Sequence, residues 1–300
     1  TGTDQVDVTV NPIPVASFGG NTSVCFGNTV NLSDASTVTT GTVTTWAWDL
    51  GNGSFSASQN PSVAYAAAGT YTIRLIVASD AGCLDTIQQT QSIWAVPVAQ
   101  FSTTAACDQN PITVTGSASI SDTSALNYSW TLSDGFTSGA AVFNHQFAAA
   151  GQYNAHLLVT SSNGCVDSLD RVIDIYPLPV AAVSTTAICT NDPAIINDNS
   201  TVSSGSITNW NWSFGDGGVM TGSSPVHTYT VSGDYRVDLI TTTDHGCVDS
   251  TYSFIRVIPR PIVDFSAQNV CFGFPVLFTN LSVPVSGTIA QYQWSFGDGG

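Results

Sequence analysis

Cysteine recurs along this chain with a constant pitch. Cys25, Cys107, Cys189 and Cys271 advance by one fixed step, and Cys83, Cys165 and Cys247 form a second series with the same step. Trp48, Trp130, Trp212 and Trp294 keep the pitch, as do Tyr71, Tyr153 and Tyr235, each two positions after a glycine. A chain under this constraint folds as an array of like units. The register divides it into three complete repeats, 14–96, 97–178 and 179–260. Residues 1–13 match the last strand of a preceding unit, and 261–300 match the first part of a following one. The odd seventh cysteine is then expected to follow from the cut through the array, with Cys271 paired downstream.

Within a unit the apolar pattern has period two. Tyr71, Ile73, Leu75 and Val77 point one way, with Thr72 and Arg74 between them, and Trp46, Trp48 and Leu50 share one face. Strands are expected at 14–18, 29–33, 46–50, 63–65, 71–77 and 86–96, separated by Gly, Asn and Asp turns. No stretch carries a helical stripe. Many short strands in about 82 residues fit an all-β array of immunoglobulin-like sandwiches.

Composition narrows the function. With 43% hydrophobic and 9% charged residues, the chain is too apolar for disorder. Five arginines against 21 acidic residues give a net charge of −16, which disfavours nucleic acid and anionic membrane. No apolar run is long enough for a membrane helix, so no membrane insertion is expected in this segment.

The two cysteines of each repeat keep one separation in all three complete units: 25 to 83, 107 to 165 and 189 to 247. This constant spacing predicts Cys25–Cys83, Cys107–Cys165 and Cys189–Cys247 bridges, each tying the loop after the first strand to the hairpin before the last. Buried thiols and a metal site are the alternatives, but no Cys-x-x-Cys pair supports zinc. Disulfides place the protein in an oxidising compartment, so an extracellular or cell-surface location is expected.

The stretches Trp212-Ser-Phe-Gly-Asp-Gly217 and Trp294-Ser-Phe-Gly-Asp-Gly299 resemble the signature of the PKD (polycystic kidney disease) domain. Pro225-Val-His-Thr-Tyr229 and Gly233-Asp-Tyr235 extend the likeness, and Trp48 to Gly53 and Trp130 to Gly135 are weaker copies. The recurrent Gly-Cys-x-Asp-Ser/Thr element is similar to PKD arrays in giant secreted proteins of Bacteroidetes-type bacteria, many of them type IX secretion substrates. The resemblance implies a spacer, adhesion or carbohydrate-contact role and no catalytic residues.

The motif residues have structural roles to fill. The tryptophans supply a large core plate. Asp216 and Asp298 are expected to bond turn amides, between glycines free to take positive φ. Tyr71, Tyr153 and Tyr235 fit a tyrosine corner. Of four histidines, only His145 and His227 share a repeat column, which holds Val63 in the first repeat. No catalytic constellation emerges, and the chain is read as a non-enzyme. Calcium is the one candidate cofactor, at Asp85, Asp167 and Asp249, with a weaker column of Asp34, Asp198 and Asn280 that Gly116 interrupts. Turn-forming Asx residues are the alternative reading of both.

The junctions Asn11-Pro-Ile-Pro14, Tyr176-Pro-Leu-Pro179 and Ile258-Pro-Arg-Pro261 run the last strand of one unit almost directly into the first strand of the next. Such Pro-x-Pro connections predict an elongated, semi-rigid rod. Trp94, Tyr176 and Ile258 occupy one column beside them, placed to pack on the neighbouring repeat or to contact sugar. The expected function is an extracellular adhesive stalk or filament segment; the alternative is a set of spacer or carbohydrate-contact modules of a secreted hydrolase. Neighbouring repeats, a homo-oligomeric fibre or bundle, and a cell-surface glycan or protein are the candidate partners.

Overall fold

A computed structural model describes residues 3–21, 23–104 and 106–297. Every element of regular structure among them is a β-strand or bridge, with no helix. Each repeat is an immunoglobulin-like sandwich. In the first, strands β1 (Phe18–Gly20), β3 (Thr29–Asp34) and β6 (Ser62–Ala64) form one sheet in the order β1-β3-β6. The second sheet contains β2 (Ser23–Cys25), β4 (Val43–Asp49), β5 (Phe55–Ser56), β7 (Gly69–Ser79) and β8 (Leu84–Trp94), ordered β2-β8-β7-β4-β5.

The β7–β8 hairpin dominates because its alternation is strongest. Ile73, Leu75 and Val77 are fully buried, and each such aliphatic side chain contributes about 1.5–3 kcal/mol. Arg74, between Ile73 and Leu75, and Thr72, just before Ile73, face solvent. Two short strands, β2 and β5, were not expected from the pattern, since neither is long enough to show a period. The expected strand at 14–18 is reduced to a bridge between Val15 and Thr37, and pairing in β1 begins only at Phe18. The third repeat has the same five-stranded sheet, with Ile207–Ser213, Gly233–Thr243 and Val248–Ile258 as its long strands.

Trp48, Trp130 and Trp212 are 1–2% exposed and sit at the centre of their sandwiches. Each indole N–H donates to a carbonyl ten positions on, Ser58, Ala140 and Gly222 respectively, at 2.8–3.0 Å. Trp294 departs from this pattern and is 37% exposed. Among the described residues between 261 and 297 the strands are Phe265–Ala267 and Phe278–Asn280. Asp298 lies outside the described residues.

By backbone contacts the chain divides into two units. The first is Thr1–Ala105, Pro111–His145 and Gln152–Asp174, and the second is Ala106–Asn110, Gln146–Gly151 and Ile175–Gly300. The first contains the core around Trp48, with Val30, Leu32, Leu50 and Leu75. The second contains the core around Trp212, with Phe214, Tyr229, Leu239 and Ile255.

Candidate functional site

The cysteines define the chain's most distinctive chemistry. Cys25 ends β2, whose parallel register places it opposite Trp94 at the end of β8. Cys83 occupies the turn that precedes Leu84 at the start of β8. In that turn Ser79 N–H donates to Cys83 O at 2.9 Å, and Gly82 takes a positive φ of 81°. The two cysteines of one repeat therefore lie at opposite ends of an 11-residue strand, roughly 33 Å apart at the usual rise. A disulfide requires Cα atoms within about 7 Å.

This geometry corrects the pairing expected from the constant within-repeat spacing: Cys25–Cys83, Cys107–Cys165 and Cys189–Cys247 do not form. Cys25 is bonded to Cys165, and Cys107 to Cys247, each across 140 residues, with Cα separations of 5.6 and 5.7 Å. Cys83, Cys189 and Cys271 are unpaired. The first bridge lies wholly within the first compact unit and the second wholly within the second. The reason is the directness of the junction. The end of β8 that holds Cys25 continues through Ala95-Val96-Pro97 into the strand Val98–Thr103. It thereby meets the turn of the next repeat that holds Cys165. Each bridge joins the first-column cysteine of one repeat to the second-column cysteine of the next.

The junction aromatic takes part in the same arrangement. The Tyr176 ring stacks on His245 at 3.6 Å, and the Tyr176 carbonyl oxygen lies 3.9 Å from Cys247 Sγ. His245 is itself 2.8 Å from Asp244. Tyr176 is thus engaged with the repeat that follows it.

The acidic columns are absorbed by backbone and side-chain hydrogen bonds. Asp85, Asp167 and Asp249 accept from the amides of Ala16, Ala99 and Ala181 at 2.8–2.9 Å, clamping the opening segment of each repeat to its last strand. The Ala16 amide bond, with that of Thr86, holds the Asp85 carboxyl below its ordinary range. Asp34 accepts from the Trp46 indole at 2.8 Å and Asp198 from Trp210 at 2.6 Å, and each also accepts from an amide two positions on. Among the described residues no three His, Cys, Asp or Glu side chains converge to hold a metal ion. Each of these carboxylates is engaged with amide or indole donors of its own repeat.

In the Gly-Asp-Gly turn, Asp216 accepts from the Gly218 amide at 2.9 Å while its other oxygen is 2.8 Å from His227 Nε2. Asp134 repeats this with the Phe136 amide at 3.1 Å and His145 at 2.6 Å. Burial opposes ionisation of both carboxyls, but the histidine and amide hydrogen bonds prevail and hold their pKa values below the ordinary carboxylate range. His227 stacks flat on Phe214 at 4.2 Å, so the pair forms part of a packed turn. Gly51, at the matching point of the first repeat, has φ of 78°, and a Cβ there would meet Thr72 O at 2.5 Å. The turn needs glycine at that point because the β7 backbone passes against it.

The Tyr71 and Tyr235 hydroxyls donate to the carbonyls of Ala67 and Val231 at 2.9 Å, closing the corner before the strand. The sequence motif leaves Tyr65 and Tyr229 without a role. Both are buried, their hydroxyls donate to Leu50 O and Phe214 O at 2.9 and 3.0 Å, and they lie against Tyr71 and Tyr235. Burial of Tyr229, with the nearby Asp216 and Tyr235, pushes its pKa up to about 12. The second repeat has Phe147, fully buried, in that column.

Comparison with known proteins decides the family. The PKD domain profile matches residues 11–95, 94–175 and 176–257. The chain belongs to the PKD domain family. A curated relative, the pre-pro-metalloprotease PrtV of Vibrio cholerae serotype O1, is 30% identical over 167 residues. That match spans 54% of this chain and 17% of PrtV. Among solved structures, the PKD1 domain of Vibrio anguillarum Epp is 34% identical, with a TM-score of 0.26, over 28% of this chain and 96% of that one. The PKD1 domain of V. cholerae PrtV is 32% identical, with a TM-score of 0.25, over 28% and 98%. No helix among the described residues is long and apolar enough to cross a membrane.

Proposed function

We propose that this chain is a non-catalytic, load-bearing segment of an extracellular protein, a stalk in which PKD repeats are covalently linked to their neighbours. The observation that carries this reading is the overlap of the two disulfides. Cys107 lies inside the loop closed by Cys25–Cys165, and Cys165 lies inside the loop closed by Cys107–Cys247. A pull applied across positions 25 and 247 therefore need not straighten the whole stretch of chain between them. The shortest covalent path crosses one bridge, returns along the segment from 165 to 107, and crosses the other. At full extension that is roughly 200 Å, against roughly 750 Å for the reduced chain. A hydrophobic core resists force only until it unfolds, whereas this cross-linking limits extension afterwards. Bridges of this kind persist in oxidising surroundings, which supports a location outside the cytoplasm.

Single-molecule stretching between attachment points at residues 25 and 247 tests the reading. The oxidised chain is expected to stop lengthening at less than a third of the reduced contour. Equal contour lengths with and without reductant would overturn it.

A second reading, in which the repeats space or assist a secreted hydrolase, draws support from the identity to a metalloprotease precursor. Under it the chain would contact glycans or hold a catalytic domain at a distance. Measurable binding to polysaccharide, lost on truncating exposed aromatics such as Phe254, would favour this alternative. Lateral association into a fibre is a further property of the stalk reading, tested by sedimentation at high concentration.

A further inference from the structure

We propose that Cys83 and Cys189 are open halves of the same inter-repeat bridge, each built to bond a cysteine of a further PKD repeat. The inference rests on the geometry of the bridged pairs and holds whether the array acts as a stalk or as a spacer.

Cys189 has the backbone setting of the two first-column cysteines that are bridged. Cys25 lies in parallel register with Trp94, Cys107 with Tyr176, and Cys189 with Ile258. The amide after each donates back across that register: Phe26 to Trp94 O, Asp108 to Tyr176 O and Thr190 to Ile258 O, at 2.8–2.9 Å. A turn then closes with Asn28, Asn110 and Asp192 donating to the cysteine carbonyls at 3.1–3.4 Å. The loop that presents the sulfur is therefore formed before any partner is bonded.

Cys83 has the setting of the bridged second-column cysteines. Its amide donates to Ser79 Oγ at 3.2 Å, as Cys165 does to Ser161 and Cys247 to Thr243 at 3.1 Å. Its sulfur lies 3.8 Å from Asn11 O, and Cys247 Sγ lies 3.9 Å from Tyr176 O. Asn11 and Tyr176 both open a Pro-x-Pro junction. One property differs: Cys165 and Cys247 are 1% exposed, while Cys83 is only partly buried. Beside Cys83 an open groove of about 330 Å³ runs between Asn11, Pro12, Gly41, Ser79 and Asp80. The occupant that fits is the first-column loop of another PKD repeat, the same element that brings Cys25 to Cys165. The 140-residue step back from Cys83, or forward from Cys189 or Cys271, leads outside positions 1–300.

Closing each bridge joins two sulfurs and releases two protons and two electrons. A disulfide oxidant such as oxidised glutathione accepts the electrons. One thiolate attacks it to give a mixed disulfide and one reduced glutathione, and the partner thiolate then displaces the second.

The test is disulfide mapping of the protein as isolated from its source, with free thiols alkylated before denaturation. Cys83 and Cys189 are expected to escape alkylation and to appear cross-linked to cysteine peptides of other PKD repeats. Mixing isotopically light and heavy protein before assembly tells a repeat of the same polypeptide from one of a second copy, since only the second gives hybrid peptides. Alkylation of both residues as free thiols would overturn the proposal. So would recovery of a Cys25–Cys83 or Cys189–Cys247 peptide. The 300-residue chain alone gives an independent readout. Oxidised glutathione is expected to cap Cys83 and Cys189 as mixed disulfides and to leave Cys25–Cys165 and Cys107–Cys247 intact. Reshuffling into within-repeat bridges would contradict the proposal.

Discussion

The Trp46 indole donates to Asp34 at 2.8 Å, and in the second repeat both partners change together. Tyr128 stands in the tryptophan column and Gly116 in the aspartate column. The third repeat restores both as Trp210 and Asp198, 2.6 Å apart. At Gly116 a Cβ would lie 2.6 Å from the Trp130 ring, so the core tryptophan takes the space that the aspartate occupies elsewhere. The Asp34 column is a side-chain tie of the sandwich.

The pair in the first repeat should be energetically coupled. Asp34→Ala and Trp46→Phe are each expected to destabilise, and the double variant to lose less than the sum, with a coupling of about 0.5–3 kcal/mol. Urea denaturation of the four proteins measures this. Strict additivity would show that the hydrogen bond contributes nothing.

Asp85 accepts from the amide of Ala16, which is 6% exposed. Asp85→Ala leaves that N–H without its partner and is expected to lower the melting temperature. Asp85→Asn keeps a carbonyl oxygen and should recover part of the loss. Melting with and without chelator separates this role from calcium binding. The clamp predicts the same transition in both, and a chelator-sensitive shift abolished by Asp85→Ala would return the column to metal binding.

Trp212→Ala removes a ring that is 2% exposed, and about 3–5 kcal/mol of stability should go with it. Chemical denaturation followed by circular dichroism measures the loss, and an unchanged midpoint would show that the ring does not anchor the third sandwich.

The Asp134 and Asp216 carboxyls have folded-state pKa values below the ordinary 3.8. A depressed carboxyl favours the folded state above its unfolded pKa, and that contribution disappears as pH falls through the folded value. Stability is therefore expected to hold down to about pH 4 and to decline below it. Asp216→Asn should flatten the acid limb, and a pH series of denaturation midpoints reads the slope. An unchanged limb would place the acid sensitivity elsewhere.

Much of the architecture was legible in the chain. The constant pitch marked the repeats, the alternation in β7 marked its buried face, and the tryptophan column marked the centre of each sandwich. The strands β2 and β5, of three and two residues, were not legible, because their pairing is dictated by neighbours and leaves no period of their own. Tyr229 was in view as part of a motif and Tyr65 as the end of an expected strand, but their bonds to Phe214 and Leu50 span 15 residues and depend on how the turn folds back.

The cysteine columns divide most clearly between the two levels. Register alone fixed that two series exist and that each belongs to a constant place in the repeat. It could not choose between a partner in the same repeat and one in the next, since both separations recur without variation. That choice was made in three dimensions, by a strand long enough to carry the two cysteines of one repeat beyond each other's reach. A prolyl junction short enough to bring successive repeats into contact completed it.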